Sequence, residues 1–433
     1  MTNRRLDVRI GTNPVRVGEL FTQISGSRET STFIYDADWI SHPRGFAISP
    51  AMPLARTPYY ASNRNKGSSL PLPIADSAPD SWGRKVMNLL AGSNHLADVD
   101  YLTGTDDALR MGALRYFDGM DEDATALAPS PTNDEISNGA VGIPRLHDLD
   151  AVLREARAFE ADPAGYAARR AEMVGGDILR EAVGSLGGAR PKVNARDRDG
   201  ALWIVKLPKQ SDDYAVARAE VMALTLAQEV GINACEAKIM NDAESFPIAL
   251  VRRFDRTGPN HAARVPFISA LTFLGLEGED QVGTYEDIAM QMRGHAQNAA
   301  AQMAELYRRM MFTVLIRNTD DHLRNHGFLR GASGWHLSPA YDINPEHRSG
   351  RSLQTPISEI HGNEASVRAV LEAAEFFDLR PAAARDLARN MARHIARRWR
   401  PLGAELGMTA RDTSAVAAAI ETPDLRFAAE LPL

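Results

Sequence analysis

The chain carries one cysteine, Cys235, in 433 residues, which excludes an internal disulfide framework and fits a reducing compartment. Its apolar neighbours make a buried, inert thiol the expectation. No apolar run approaches the roughly 18 residues that a membrane-crossing helix needs. The opening MTNRRLDVRIG lacks the apolar core of a secretory leader. A cytoplasmic protein with no membrane partner is therefore expected. A surplus of positive charge is missing too: the net charge is −7, which argues against nucleic-acid binding through bulk charge while leaving local basic surfaces open. There is no internal repeat. Two motif families are also absent. The glycine cluster Gly184-Ser-Leu-Gly-Gly-Ala-Arg-Pro-Lys192 is not followed by Lys-Ser or Lys-Thr opening a helix, so it is not a P-loop. Nowhere does the chain read His-Arg-Asp, Asp-Phe-Gly or Ala-Pro-Glu, the usual protein-kinase words.

What is present is an ordinary globular composition, 44% hydrophobic and 24% charged, on a chain long enough for two or three domains. Leu6-Asp-Val-Arg-Ile alternates as a strand does, and Val15-Arg-Val and Thr32-Phe-Ile-Tyr-Asp36 are β-rich. Ala47 to Leu54 suggests an edge strand interrupted by prolines, and residues 56–80 read as loop. A helix starts at Ser81, with Asp80 or Ser81 as its N-cap. Residues 119–143 have linker composition. Leu149 to Met173 is helical, broken at Pro163-Ala-Gly165. The expected partition is a small α/β domain over 1–120, linker and helices over 121–175, a nucleotide-binding part over 176–260, and a helical part over 261–433.

The most informative stretch is Asn318 to Asp342. Asp320 and Asn325 are five apart, at the end of a long apolar helical run. His326-Gly-Phe-Leu-Arg330, the turn Gly331-Ala-Ser-Gly334 and Trp335-His-Leu337 then read as a hairpin. A hairpin returns the chain to where it started, so Asn325 and Asp342 are expected near one another. An amide oxygen and a carboxylate are what magnesium asks of a protein when phosphate and water complete its shell. Asp320 is left to accept a proton from a hydroxyl. Protein kinases use the same order of Asp, Asn and metal-binding Asp.

Upstream, closely spaced glycines including Gly187 and Gly188 let backbone amides approach phosphate oxygens, with Lys192 adding charge. Ala201-Leu-Trp-Ile-Val-Lys206 is a strand ending in a lysine, and a charge in such a run calls for a partner or a function. Residues 217–231 form an amphipathic helix with Gly231 past its end. Glycine loop, strand lysine and helix glutamate follow the order of a kinase N-lobe. Lys206 is then expected at the α- and β-phosphates with Glu220 orienting it, and Glu229 an equal rival on sequence grounds. Met303, Leu306, Met310 and Val314 form a helical core stripe before Asn318. In the last long helix Leu387, Met391, Ile395 and Trp399 make an apolar stripe beside a basic one of Arg385, Arg389, Arg393 and Arg397. The favoured reading is a solvated face over a packed one, with contact to an acidic partner or DNA phosphate as the alternative.

Together these words resemble the HipA family of bacterial toxin–antitoxin serine/threonine kinases. The matching stretches are Ser185-Leu-Gly-Gly-Ala-Arg-Pro-Lys192, Ile204-Val-Lys206-Leu-Pro, Val251-Arg-Arg-Phe-Asp-Arg256, Asn318-Thr-Asp-Asp-His-Leu-Arg-Asn325 and Leu337-Ser-Pro-Ala-Tyr-Asp342. Val17-Gly-Glu-Leu20, Phe33-Ile-Tyr-Asp36 and Pro79-Asp-Ser-Trp-Gly-Arg84 extend the resemblance to nearly the whole chain. It implies an α+β, protein-kinase-like two-lobed fold with a small N-terminal α/β subdomain and a mostly helical C-terminal lobe. It implies ATP and Mg2+ as cofactors, Asp320 as the catalytic residue, Asn325 and Asp342 as magnesium ligands, and Lys206 at the ATP phosphates. His322 would support the loop within the ATP site, and Ser185 would be the site of inactivating autophosphorylation. The family's substrates are aminoacyl-tRNA synthetases, notably glutamyl-tRNA synthetase. Its partner is a HipB-type helix-turn-helix antitoxin, through which operator DNA is bound. A small-molecule phosphotransferase and a catalytically idle corepressor remain the alternatives.

Overall fold

The structure, a computed structural model, describes residues 2–65, 67–92, 95–119, 126–127, 143–171, 179, 190–209, 211–241, 246–278, 282–347, 350 and 352–432. Helices and sheets are both present, so the fold class is α+β. The chain divides into two compact units. One comprises Met1–Gln210, Asp255–Ile268 and Gly275–Gln281; the other comprises Ser211–Phe254, Ser269–Leu274 and Val282–Leu433.

The first unit is built on an antiparallel sheet of β1 (Thr2–Ile10), β2 (Val15–Ser25), β3 (Arg28–Tyr35), β4 (Tyr59–Ser62) and β5 (Leu114–Asp118), in the order β4-β3-β2-β1-β5. The period-2 pattern decides its faces: Leu6, Val8 and Ile10 point into the core, and Arg5, Asp7 and Arg9 point away. Val17, Leu20, Phe33 and Tyr35 complete the inner face. Gly18 is required by packing, because a Cβ there would lie 2.2 Å from the Ile34 carbonyl oxygen. The edge strand expected over Ala47 to Leu54 is not one. Pro50 and Pro53 supply no N–H, and Ser49 instead closes a turn through its Oγ to the Ala51 N–H and its carbonyl to the Met52 N–H. One edge is β4, inside the stretch read as loop, where a short helix, Leu72–Ala75, also forms. Asp80 is the N-cap of helix Ser81–Leu90, accepting from the Gly83 N–H at 2.7 Å. Helices Leu149–Ala161 and Pro163–Ala171 meet at Asp162, with Pro163 opening the second, as a proline at a first turn should. Strands Lys192–Arg196 and Leu202–Lys206 close this unit as an antiparallel hairpin.

The second unit is mostly helical. Its longest helices are Ala299–Leu315 and Pro381–Glu405, beside Val216–Glu229, Tyr285–His295 and Ala410–Ile420. The stripe of Met303, Leu306, Met310 and Val314 is buried, as are Met391, Ile395 and Trp399, while Leu387 at the start of that second stripe is half-buried. Cys235 is buried as well. The basic stripe on the last long helix is not simply a solvated face. Arg389 is only 4% exposed and donates to the Pro432 carbonyl, while Arg393 donates to the Ala429 carbonyl. These arginines satisfy carbonyls at and just beyond the end of helix Pro423–Ala429. No helix among the described residues is long and apolar enough to cross a membrane.

Candidate active site

The loop that follows helix Ala299–Leu315 is set by how that helix ends. Its C-cap is Ile316, and Arg317 takes the left-handed conformation, φ 57°. The Asn318 N–H then reaches back to the Thr313 carbonyl at 2.9 Å and the Arg317 N–H to Val314 at 3.2 Å. This is the Schellman pattern, made here without glycine at a cost of about 1 kcal/mol. The chain leaves the helix at a fixed angle and enters Asn318 to Asn325.

Within the loop each backbone turn is pinned. The Asp320 carbonyl accepts from the His322 N–H at 3.1 Å and from Asn325 Nδ2 at 3.0 Å. The Asn325 N–H returns to His322 at 2.8 Å. The Asn325 amide nitrogen is thereby committed to the loop, which leaves its carbonyl oxygen as the side-chain atom able to coordinate a cation. The expected hairpin is present: Gly327–Arg330 pairs with Trp335–Leu337, with Phe328 opposite Leu337. It delivers Asp342 back to the loop. Tyr341 donates to the Arg324 carbonyl at 2.7 Å, and the Asn344 N–H donates to Asn318 Oδ1 at 3.2 Å. Asp342 itself is left-handed, φ 55°, and accepts from Asn344 Nδ2 at 3.1 Å. Arg309, buried in the preceding helix, donates to the carbonyls of Ser338 and Asn233 and fixes the base of the hairpin.

The electrostatics follow from this crowding. Partial burial raises the Asp320 carboxyl above its ordinary range; Asp342, Asp321 and Glu346 add negative potential, and His322 opposes them. A carboxylate among carboxylates is a site that favours either a proton or a cation. The described residues hold no cluster of three His, Cys, Asp or Glu side chains suited to a metal. Asn325 and Asp342 offer one amide oxygen and one carboxylate, which fits a hard cation that keeps most of its shell from phosphate and water.

The remaining sequence-derived residues fall in different places. Glu220 belongs to the second unit and is 2% exposed in helix Val216–Glu229. Its rival Glu229 is occupied on the surface by His394 at 2.8 Å and Arg398 at 3.0 Å. Lys192 and Lys206 belong to the first unit, opposite one another in the hairpin register, and both are buried. Lys192 Nζ lies 3.1 Å from Asp80 Oδ2, a partner that sequence gave no reason to expect. Ser185, Gly187 and Gly188 lie outside the described residues.

Three residues near the loop escaped the sequence reading. Asp321 is 4% exposed; it accepts from the Tyr285 hydroxyl, and His326 Nε2 is 3.0 Å from its other oxygen. The doublet Asp320-Asp321 was visible as a motif, but nothing marked which acid turns inward. Tyr285, distant in sequence, carried no signal.

Comparison with known proteins agrees across the chain. Residues 6–117 match the HipA N-terminal domain family, and residues 184–399 match the HipA-like C-terminal domain family. Y4dM of Sinorhizobium fredii is 30% identical over 158 residues, 33% of this chain and 37% of its own length. A Haemophilus influenzae protein is 37% identical over 71 residues, 16% of this chain and 20% of its own. Both carry provisional kinase names, and the chain spans well under half of either. The structure of HipA from the Shewanella oneidensis toxin–antitoxin complex with HipB and operator DNA superposes with a TM-score of 0.63 at 15% identity, over 99% of this chain and 100% of that one. With both domain families matched in order along one chain and that fold shared end to end, the protein belongs to the HipA family.

Proposed function

We propose that the protein is an ATP- and Mg2+-dependent serine/threonine protein kinase acting as the toxin of a toxin–antitoxin pair. The observation that carries this reading is the loop: Asp320 beside Asn325, with Asp342 near enough to raise its carboxyl. In this reading Asp320 orients a substrate hydroxyl and takes its proton, a role suited to a carboxylate whose basicity its neighbours increase. Asn325 and Asp342 would hold the cation, which supplies charge neutralisation at the phosphates. Lys206 is assigned to the ATP phosphates and Glu220 to an orienting role, with Lys192, Gly187, Gly188 and His322 completing the nucleotide site. Ser185 is the proposed site of self-phosphorylation: a phosphate there adds about −1.5 to −2 charges to a loop meant to cradle phosphates, and so opposes ATP. The acceptor is a serine of a translation enzyme, an aminoacyl-tRNA synthetase such as glutamyl-tRNA synthetase. The HipB and operator DNA in the Shewanella complex support a HipB-type antitoxin as partner here, with operator DNA bound mainly through it and corepression of the operon as a second role.

The test is intact mass and peptide mapping after incubation with ATP and magnesium, with Asp320→Gln as control. One phosphoryl group on Ser185, absent from the control, is the expected result. ATP binding without protein labelling, joined to turnover on an alcohol or aminoglycoside, would instead make the protein a small-molecule phosphotransferase.

A further inference from the structure

Beside the loop lies a buried polar chain that the proposed chemistry does not use directly. Tyr285 is the first residue of helix Tyr285–His295 and has no exposed surface. Its backbone N–H is tied to the Pro356 carbonyl at 3.0 Å. Its hydroxyl donates to Asp321 Oδ2, and Thr313 lies close enough to act on it. Asp321 Oδ1 lies 3.0 Å from His326 Nε2, an ion-pair contact rather than an aligned hydrogen bond. The His326 ring meets the Tyr285 ring edge-on, with centroids 5.2 Å apart. The His326 carbonyl accepts from the Ala270 N–H at 2.7 Å. Each member therefore comes from a different piece: the end of helix Ala299–Leu315, the start of helix Tyr285–His295, the middle of the loop and the start of the hairpin.

We propose that Tyr285, Asp321 and His326 are positioning residues that lock the peptide between Asp320 and Asp321, so that one acid is held inward while Asp320 is presented outward. The reason is geometric. Asp320 is exposed and Asp321 is 4% exposed on either side of one peptide, in a tight turn closed by the His322 N–H on the Asp320 carbonyl, so fixing Asp321 in the core fixes the direction of Asp320. A buried carboxylate is stable only with its donors in place, and losing one leaves it seeking water. Without the Tyr285 hydroxyl, Asp321 swings toward solvent and carries Asp320 out of register. The kinetic consequence rests on the kinase reading above; the structural consequence does not.

The experiment uses the full chain with Tyr285→Phe, which keeps the ring and its packing, and Thr313→Val as a second variant that weakens the same chain from its far end. Hydrogen exchange followed by mass spectrometry is read over residues 318–326. ATP affinity and the rate of phosphoryl transfer to the protein's own serine are measured beside it. The expected result for Tyr285→Phe is exchange faster by about tenfold in that segment alone, and transfer slower by about tenfold or more with ATP affinity within about twofold. Thr313→Val should move both in the same direction by less. Segment exchange and transfer both within about twofold of the parent would overturn the proposal. So would faster exchange throughout the second unit, which would make Tyr285 a general structural residue. A parent that transfers no phosphate, with the local exchange change still present, would leave the positioning network standing and remove the kinase reading.

Discussion

Two acids, one in each unit, have opposite surroundings. Asp98 in the first unit is ringed by donors: Arg84 Nη1 at 2.6 Å, the Ser69 N–H at 2.7 Å and the Ser68 hydroxyl at 3.0 Å. Burial alone would push its carboxyl up, but Arg84 and the serine donors outweigh that and hold it below the ordinary range. Asp320 in the second unit has acids for neighbours; partial burial first, then Asp342, Asp321 and Glu346, raises its carboxyl against the opposing pull of His322. The first is a joint, where a charge is used to organise serine turns and a helix start. In the proposed reading the second is a site, where the loop leaves a charge unbalanced for something that arrives. Arg317 and Asp342, both left-handed, flank the second acid.

If that distinction is right, the largest effect should come from Asp320→Asn. Phosphoryl transfer should fall by about 10² to 10⁴, while the melting temperature stays level or rises as like-charge repulsion is relieved. Rate and melt measured on one preparation test both halves. Asp98→Ala should do the reverse, costing about 2–3 kcal/mol in the urea unfolding of the first unit, since Arg84 and the Ser69 N–H lose their acceptor. The acid limb sharpens this. Because the folded carboxyl of Asp98 is lowered, its stabilisation is complete above the unfolded value of about 3.9 and is lost as pH falls below it toward the folded value. Asp98→Asn should remove that component from a stability-against-pH curve. Thr409→Ala breaks the capping box in which Thr409 and Asp412 bond each other's N–H groups, and should cost the second unit about 1 kcal/mol, read from its urea midpoint. Smallest is Arg317→Gly, which should stabilise the second unit by up to about 1 kcal/mol by removing left-handed strain, measured as a rise in melting temperature. A destabilised glycine variant would mean that the Arg317 side chain matters more than its backbone.

Much of the candidate site's geometry was legible because it is local. Asp320, Asn325 and Asp342 are joined by a hairpin whose strands and turn can be read from residue types, and a hairpin's geometry needs no distant partner. The stripe from Met303 to Val314 was legible because a helix repeats its faces every 3.6 residues. Illegibility began where a partner lay far along the chain or where a short turn overrode a pattern. Ser49 turned an apparent strand, Asp80 captured Lys192, and Tyr285 reached Asp321 across 36 positions. The Arg389 and Arg393 contacts depended on where the C-terminal segment comes to rest.

The sequence by itself determined the α+β class, three of the five strands of the first sheet, the helical stripes and the order of lysine, glutamate and acidic loop, because periodicity and turn chemistry act over a few residues. Only the tertiary structure decided which of two adjacent aspartates is held inside, that Glu220 is buried while Glu229 is spent on a surface clamp, and that a tyrosine stands behind the loop. Those outcomes depend on which buried charge finds a donor, and donors are supplied by whichever element folds alongside.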